Sequence, residues 1–435
     1  MTATAARAFA AQARSLIETE SNVFWLDAGP RATRGVSYLG SASRVLTVSD
    51  GRVVLDGEVV GSDLLAVLRE SLPSVETGPG RHPFRGGWVG WFSYEYGADL
   101  VGAPRAPGDL PDAVFLECDR LWSFDHATGA VESILATRRA PVGPPPVTRE
   151  AGVPRVTWRH DRRSYLDAIA ASQAAIARGD AYQICLTNEA RISAPGDALE
   201  TYLRLREDNP APYGGFVRGG GVTIASCSPE QFLRVDAAGT IVTRPIKGTR
   251  RRDPDPAIDA DLAEELASDD KERAENLMIV DLMRNDLGRV ARLGSVDVTA
   301  LFAVESFSSV HQLVSTVQAE LDPAMDSLDL VGSAFPAGSM TGAPKHRAMS
   351  ILHDLEHGPR GVYSGAFGWI GADGALDLAM VIRTIVFADG QARIGTGGGI
   401  TALSRPDDEV AETLLKAAPL LEALGLPVEL TDRSH

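Results

Sequence analysis

Lys247 stands in the run TRPIKGTRRR, residues 243–252, between Ile246 and Gly248-Thr249. A lysine amine anchors an anion when charged and attacks an electrophilic carbon when neutral. A phosphate loop is excluded, because that motif puts glycines ahead of the lysine so that backbone N–H groups wrap the anion. Here Thr243, Arg244, Pro245 and Ile246 precede the lysine, and Pro245 has no N–H to give. Lys247 is left as an anion anchor, a nucleophile or an exposed turn lysine. Two Glu-x-x-Glu pairs, Glu272/Glu275 and Glu409/Glu412, lie far from it in sequence. At this spacing a helix presents both carboxylates on one face. Two such faces meeting would make an oxygen-rich site suited to Mg²⁺, which takes a few carboxylates and keeps waters. Standing apart, each pair is only a solvated helix face.

Three further segments carry candidate groups. In FPAGSMTGAPKHRAMSIL, residues 335–352, Gly338, Gly342 and Pro344 open a helix. Its free N–H groups, with Lys345, suit a carboxylate. GTGGGI, residues 395–400, reads either as an anion-binding nest or as a plain glycine turn. His311, in SSVHQLVST, sits in an apolar strand, as a satisfied core residue or as a catalytic group.

The elements that must position these groups alternate along the chain. Residues 164–178 read as a helix with a Ser164/Asp167 capping box and Gly179 as its stop. AYQICLTNEARI reads as a strand, and two or three more follow within 222–249. One helical run is expected from about Ala257 to Leu287, ending at Gly288. ESFSSVHQLVSTVQAEL reads largely as strand, as do YSGAFGWIG, LAMVIRTIVF and ARIGTGGGI. Helices are expected at 344–354 and 407–424, with Pro419 kinking or ending the second. Near the N-terminus, RVLTVSDGRVVLDGEVV reads as strands joined at Asp50-Gly51 and Asp56-Gly57, and GGWVGWFSYEYG is β-prone. This pattern predicts an α+β fold, with large antiparallel sheets forming a sandwich-like core and helices outside. The Pro-rich run APVGPPPVTREAGVP suggests a sheet-rich domain at 1–140, a linker at 141–156 and a catalytic domain at 157–425.

Composition narrows the function. With 42 basic and 58 acidic residues the net charge is −16, which excludes broad nucleic-acid or anionic-membrane binding. An anionic small substrate remains compatible if Arg and Lys are gathered locally. The three cysteines, Cys118, Cys185 and Cys227, form no Cys-x-x-Cys pair. Zinc and a disulfide framework are therefore not expected, and the low count suits a reducing cytoplasm. No apolar run reaches the roughly 18 residues of a membrane span. The stretch MTATAARAFAAQARSLIE reads as an ordinary amphipathic first helix.

The order of the motifs is more telling than any one of them. SPEQFL, RPIKGTR, ENLMIVDLMRNDLGRV, VHQLVST, FPAGSMTGAPK, RGVYSGAFGWI, VIRTIV, GTGGGI and DDEVAETLLKA follow one another over about residues 160–425. In this order they resemble the chorismate-utilising enzymes, the synthases of anthranilate, aminodeoxychorismate, isochorismate and salicylate. The first 140 residues resemble the shorter first domain of the aminodeoxychorismate synthases more loosely. The resemblance implies the fold of anthranilate synthase component I. It implies Mg²⁺ carboxylates at Glu275 and Glu412, with Glu272 and Glu409 reaching waters on the metal. It also implies that Gln183, Thr249, Thr341, Lys345, Tyr363, Arg383, Gly397, Gly398, Gly399 and Lys416 hold the substrate.

Two positions sort this family by reaction. Members that add water carry a lysine base where this chain has Gln183, and an amide cannot serve as that base. Anthranilate synthases typically read PIAGT, whereas this chain reads PIKGT, the form typical of the aminodeoxychorismate synthases. The resemblance thus implies that Lys247 attacks C2 of chorismate, that Glu230 protonates the departing C4 hydroxyl, and that ammonia then enters at C4. His311 joins them as a catalytic candidate. Arg251 stands where the family motif often has proline, outside the reacting residues. None of the cysteines has a glutaminase elbow context, so ammonia is expected from a separate glutamine amidotransferase subunit.

Overall fold

The computed structural model describes residues 2–72, 82–136, 152–307 and 310–430. The expected linker therefore lies outside the described residues up to position 151. Its far end is strand, with Arg155 and Val156 paired to Ser193 and Ile192.

Two antiparallel sheets make up the body. The first runs, in neighbour order, through Arg155–Trp158, Gln183–Ser193, Gln391–Ile400, Thr384–Ala388, Val222–Ser228, Tyr213–Gly219, Val23–Asp27, Val36–Ser41, Arg120–Asp125 and Val131–Ala136. The short strand Gly342–Ala343 adds to Gln183 and Ile184. The second runs through Ile246–Arg251, Val310–Glu320, Thr240–Thr243, Gln231–Val235, Leu376–Met380, Ala366–Gly371, Gly87–Phe92, Ala113–Glu117, Arg44–Ser49, Arg52–Leu55 and Glu58–Gly61. Asp297–Ser306 pairs on the free side of Val310–Glu320.

The sheets pack face to face. Phe24, Val217, Ile224 and Val386 of the first meet Trp91, Phe367 and Trp369 of the second in one buried cluster. Helices cover the outer faces. Thr2–Thr19, Ala198–Asp208 and Pro406–Ala423 bury Phe9, Leu205 and Leu420 against the first sheet. Asp270–Leu287 and Ser327–Ala334 bury Ile279, Met283 and Val331 against the second. Strands covered on both faces have no polar side to show, which is why Val222–Ser228 and Ala366–Gly371 are buried at every position. The α+β sandwich with outer helices is thus the observed architecture. No helix among the described residues is long and apolar enough to cross a membrane.

The Asp-Gly turns form as read. Asp50 and Gly51, and Asp56 and Gly57, all have positive φ, the left-handed pair that matches hairpin twist. Other expectations need correction. The helix Arg162–Ala177 begins two residues before Ser164, because the cap is Asp161, whose carboxylate accepts from the Ser164 N–H. The run 257–287 is two helices, Pro256–Ser268 and Asp270–Leu287, because Asp269 is extended and caps the second by accepting from the Glu272 N–H. SYEYG is not strand, since Ser93 caps a helix over Tyr94–Val101. Pro419 neither ends nor bounds Pro406–Ala423, and burial of Leu420 and Leu421 just beyond it offsets the lost backbone bond. Strands from before residue 140 and after residue 157 share both sheets: Trp25 pairs with Phe216, and Trp91 with Phe367.

Candidate active site

A β-bulge aims Lys247. Lys247 pairs with Leu313 and Thr249 with Gln312, leaving Gly248 without a partner across the ladder. Gly248 has φ 75°, and a Cβ there would lie 2.7 Å from Leu266 and 3.0 Å from the Glu272 carboxyl carbon. Glycine alone fits both the backbone and the space. In a regular strand Lys247 and Thr249 would share a face; the extra residue breaks that alternation. Lys247 turns inward with its side chain 15 % exposed, and Thr249 faces solvent.

The inward amine meets several other groups. Its Nζ is 3.4 Å from Glu275 Oε2. A Cβ on Gly399 would run into the buried Gln183 amide and lie 3.4 Å from Lys247 Nζ, so the glycine leaves room where amide and amine converge. Burial alone would favour the neutral amine, but the carboxylates of Glu275, Glu230 and Glu412 outweigh it and hold Lys247 above the usual lysine value.

Glu230 follows the strand Val222–Ser228 and is 6 % exposed. Its Oε1 accepts from Ser339 Oγ at 3.3 Å. Burial pushes its carboxyl up to about 7, while Lys247 and the Ser339 bond pull the other way. A carboxyl so placed carries a proton near neutrality and can give it up.

The two Glu-x-x-Glu pairs do meet, beside the glycine strand. A Cβ on Gly398 would lie 3.1 Å from Glu409 Oε2 and 3.8 Å from Glu412 Oε1. Lys271 Nζ is 3.4 Å from Glu409 Oε1 and 3.9 Å from Glu275 Oε1, bridging the two helices. Lys416 Nζ is 2.7 Å from Glu412 Oε1 and donates to the Gly397 carbonyl at 2.9 Å. Glu272 packs under Gly248, with its carboxyl raised by burial and by Glu275 and Glu412. Hard, charged oxygens of this number suit Mg²⁺. The Lys271 ammonium stands between Glu275 and Glu409.

Gly397, Gly398 and Gly399 form no anion nest. They are regular strand, paired with Thr187, Leu186 and Cys185, and their missing side chains admit Gln183 and Glu409 instead. Tyr363 is buried, with its ring under Gly395. Arg383 has a left-handed backbone at φ 50°. Its guanidinium makes no ion pair or hydrogen bond among the described residues, and Tyr363 and Glu412 are the groups whose charge it feels. An unpaired, mostly buried guanidinium is costly unless an anion comes to it.

Three candidates lie apart from this convergence. Lys345 Nζ is bound to Asp286 Oδ2 at 2.8 Å and to the Ala334 carbonyl at 2.9 Å, so it locks two helices rather than offering itself to a ligand. Losing one member of such a buried pair costs about 3 kcal/mol or more. Lys345→Met is expected to lower the unfolding midpoint while leaving the KM for substrate unchanged, and adding Asp286→Leu should restore much of the loss. The Thr341 hydroxyl donates back to the Ala337 carbonyl at 3.2 Å. His311 has both ring nitrogens engaged, by Ser306 at 2.8 Å and Asp259 at 2.9 Å. Sequence reasoning missed Ser339, Lys271 and the Gly248 bulge. The signal for Lys271 was its spacing of four from Glu275; for Ser339 there was only its place in FPAGSMTGAPK.

A cavity of about 860 Å³ lies elsewhere. It is lined by Tyr38, Gln231, Arg234, Arg244, Trp369 and Asp377 among others, and it touches Ile246 but not Lys247.

Comparison with known proteins accounts for the convergence. A family model described as chorismate binding enzyme matches residues 21–422. The chain is 42% identical to an aminodeoxychorismate synthase of Streptomyces griseus, over 94% of this chain and 62% of that protein. It thus spans less than two thirds of that relative's length. It is also 42% identical to an anthranilate synthase component 1 of Streptomyces coelicolor, over 84% of this chain and 78% of the relative. The crystal structure of anthranilate synthase component I from Streptococcus pneumoniae superposes with a TM-score of 0.78 at 29% identity, covering 89% of this chain and 92% of that one. With these matches running through both sheets and every element of the site, the chain belongs to the chorismate binding enzyme family.

Proposed function

We propose that this chain aminates chorismate at C4, giving 4-amino-4-deoxychorismate, with Lys247 as a transient covalent nucleophile. The observation that carries this reading is the meeting of the Lys247 amine and the Gln183 amide at the gap left by Gly399, with a protonatable Glu230 near enough to Lys247 for each to feel the other's charge. The neutral Lys247 amine attacks C2, both ring double bonds shift, and the C4–O bond breaks. Glu230 gives its proton to the leaving hydroxide, which departs as water, and the attacking nitrogen then returns a proton to the Glu230 carboxylate, leaving a neutral secondary amine on C2. Ammonia then attacks C4, both double bonds shift back, Glu230 protonates the departing Lys247 nitrogen so that it leaves as the amine, and the new C4 ammonium returns a proton to Glu230. Arg383 and Tyr363 orient the substrate's anionic groups, and Gln183 fills the position where a water-activating base would otherwise stand.

Glu275 and Glu412 would hold Mg²⁺, with Glu272 and Glu409 reaching its waters. Bound there, the metal would anchor a substrate carboxylate and offset the negative field around Lys247. Ammonia would come from a separate glutaminase subunit, since Cys118, Cys185 and Cys227 are all buried and burial raises each thiol above its usual value, the opposite of an activated nucleophile. The product would serve 4-aminobenzoate and hence folate or secondary metabolite synthesis in the cytoplasm.

The test is product identification with chorismate, Mg²⁺ and ammonium. Aminodeoxychorismate is expected. Anthranilate as the main product would place the chain with the anthranilate synthases, and unconsumed chorismate would make it a binding protein.

A further inference from the structure

Lys271 has no role in the chemistry just described, yet it sits at the centre of the carboxylate site. It occupies the first turn of Asp270–Leu287, with its side chain 40 % exposed. Its ammonium lies 3.4 Å from Glu409 Oε1 and 3.9 Å from Glu275 Oε1, and so joins carboxylates from two different helices. A local helix pairing does not explain this. Lysine four residues ahead of glutamate is the weaker orientation of that pair, and the shorter contact is to the other helix.

The neighbouring lysines differ in how they are held. Lys247 is largely buried on its strand, and Lys416 is also tied to the Gly397 carbonyl. Lys271 has only carboxylate partners and an open path to solvent.

We infer that the Lys271 ammonium is a resident countercation of the Glu275–Glu409 site, standing where a divalent cation binds and displaced to solvent when the metal arrives. The inference rests on the Mg²⁺ reading above. Magnesium needs oxygens at about 2.0–2.1 Å. Around the ammonium the oxygens of Glu409 and Glu275 stand at 3.4 and 3.9 Å, wider than that spacing. The device keeps buried Glu275 and Glu409 compensated before metal binds. It also weakens metal binding by the work of breaking two ion pairs.

Two measurements on the full chain test this, neither of them an activity. Mg²⁺ binding by titration calorimetry should be about tenfold tighter in Lys271→Met than in wild type, a factor worth about 1.4 kcal/mol. Lys271→Arg, which keeps the charge, should not tighten. In the wild type, saturating Mg²⁺ should speed modification of Lys271 by an amine-reactive reagent several-fold, read by peptide mass; this arm needs no variant to fold. A wild type that binds no Mg²⁺ would overturn the metal reading and this inference with it. A wild type that binds Mg²⁺, with Lys271→Met no tighter or with Lys271 labelled no faster, would overturn this inference alone.

Discussion

Glu230→Gln is expected to cost about a hundredfold or more in turnover while making the fold more stable above neutrality. The loss follows from the leaving group: hydroxide departs poorly without a proton, and an amide has none to give. The gain follows from burial. The folded carboxyl sits at about 7 against an ordinary value of 4.5. Between those pH values the folded state binds more protons than the unfolded one, so stability falls as pH rises through this window and the loss is complete above it. Glutamine removes that penalty, of about 3 kcal/mol, and retains an acceptor for Ser339. Urea unfolding should show the variant more stable than wild type at about pH 8, with the difference largely gone at pH 4.5. Wild-type turnover, corrected for free ammonia, should decline as pH rises through about 7. Equal stability of the two proteins at both pH values would show that Glu230 is not held protonated by its surroundings.

Lys247→Ala is expected to lose more. Without the amine there is no covalent route, and ammonium-dependent formation of aminodeoxychorismate should fall by about a thousandfold or more. Chorismate should still bind, because on the proposed reading Arg383 and a metal at Glu275 and Glu412 would hold it without Lys247. Glu275 keeps Lys271 as a neighbour when Lys247 is gone, so the fold should persist. Lys247→Arg should not rescue, since a guanidinium stays protonated and cannot attack. Direct attack of ammonia at C2 should be unmasked in the alanine variant as slow formation of anthranilate or its precursor, a shift in product that a merely structural lysine would not cause.

What the sequence made legible was whatever lies in local pattern. Periodicity announced Gln183–Ser193 and Gln391–Ile400, and the Asp-Gly pairs announced their hairpins. The two Glu-x-x-Glu helices were readable because spacing alone fixes the face. That those faces meet depends on both helices flanking the glycine strand, which is a property of the sandwich and not of either segment. The same limit explains Lys345. A helix N-terminus with a lysine looks like a carboxylate site until Asp286, from a distant helix, is found bound to it. The glycine run reads as strand by pattern, and it is strand; what pattern alone does not show is that its empty Cβ positions admit Gln183 and Glu409 rather than forming an anion nest. The Lys-Gly-Thr step was weighed as a loop, although its glycine is a bulge that turns one side chain inward and exposes the next.

The nucleophilic role of Lys247 is tested most directly by intact-mass analysis of the chain mixed with chorismate and Mg²⁺ in the absence of ammonium. The account predicts a species heavier by chorismate less one water, mapping to the peptide that contains Lys247, discharged by added ammonium and absent from Lys247→Ala. An adduct that persists in Lys247→Ala, or full ammonium-dependent turnover by that variant, would contradict it.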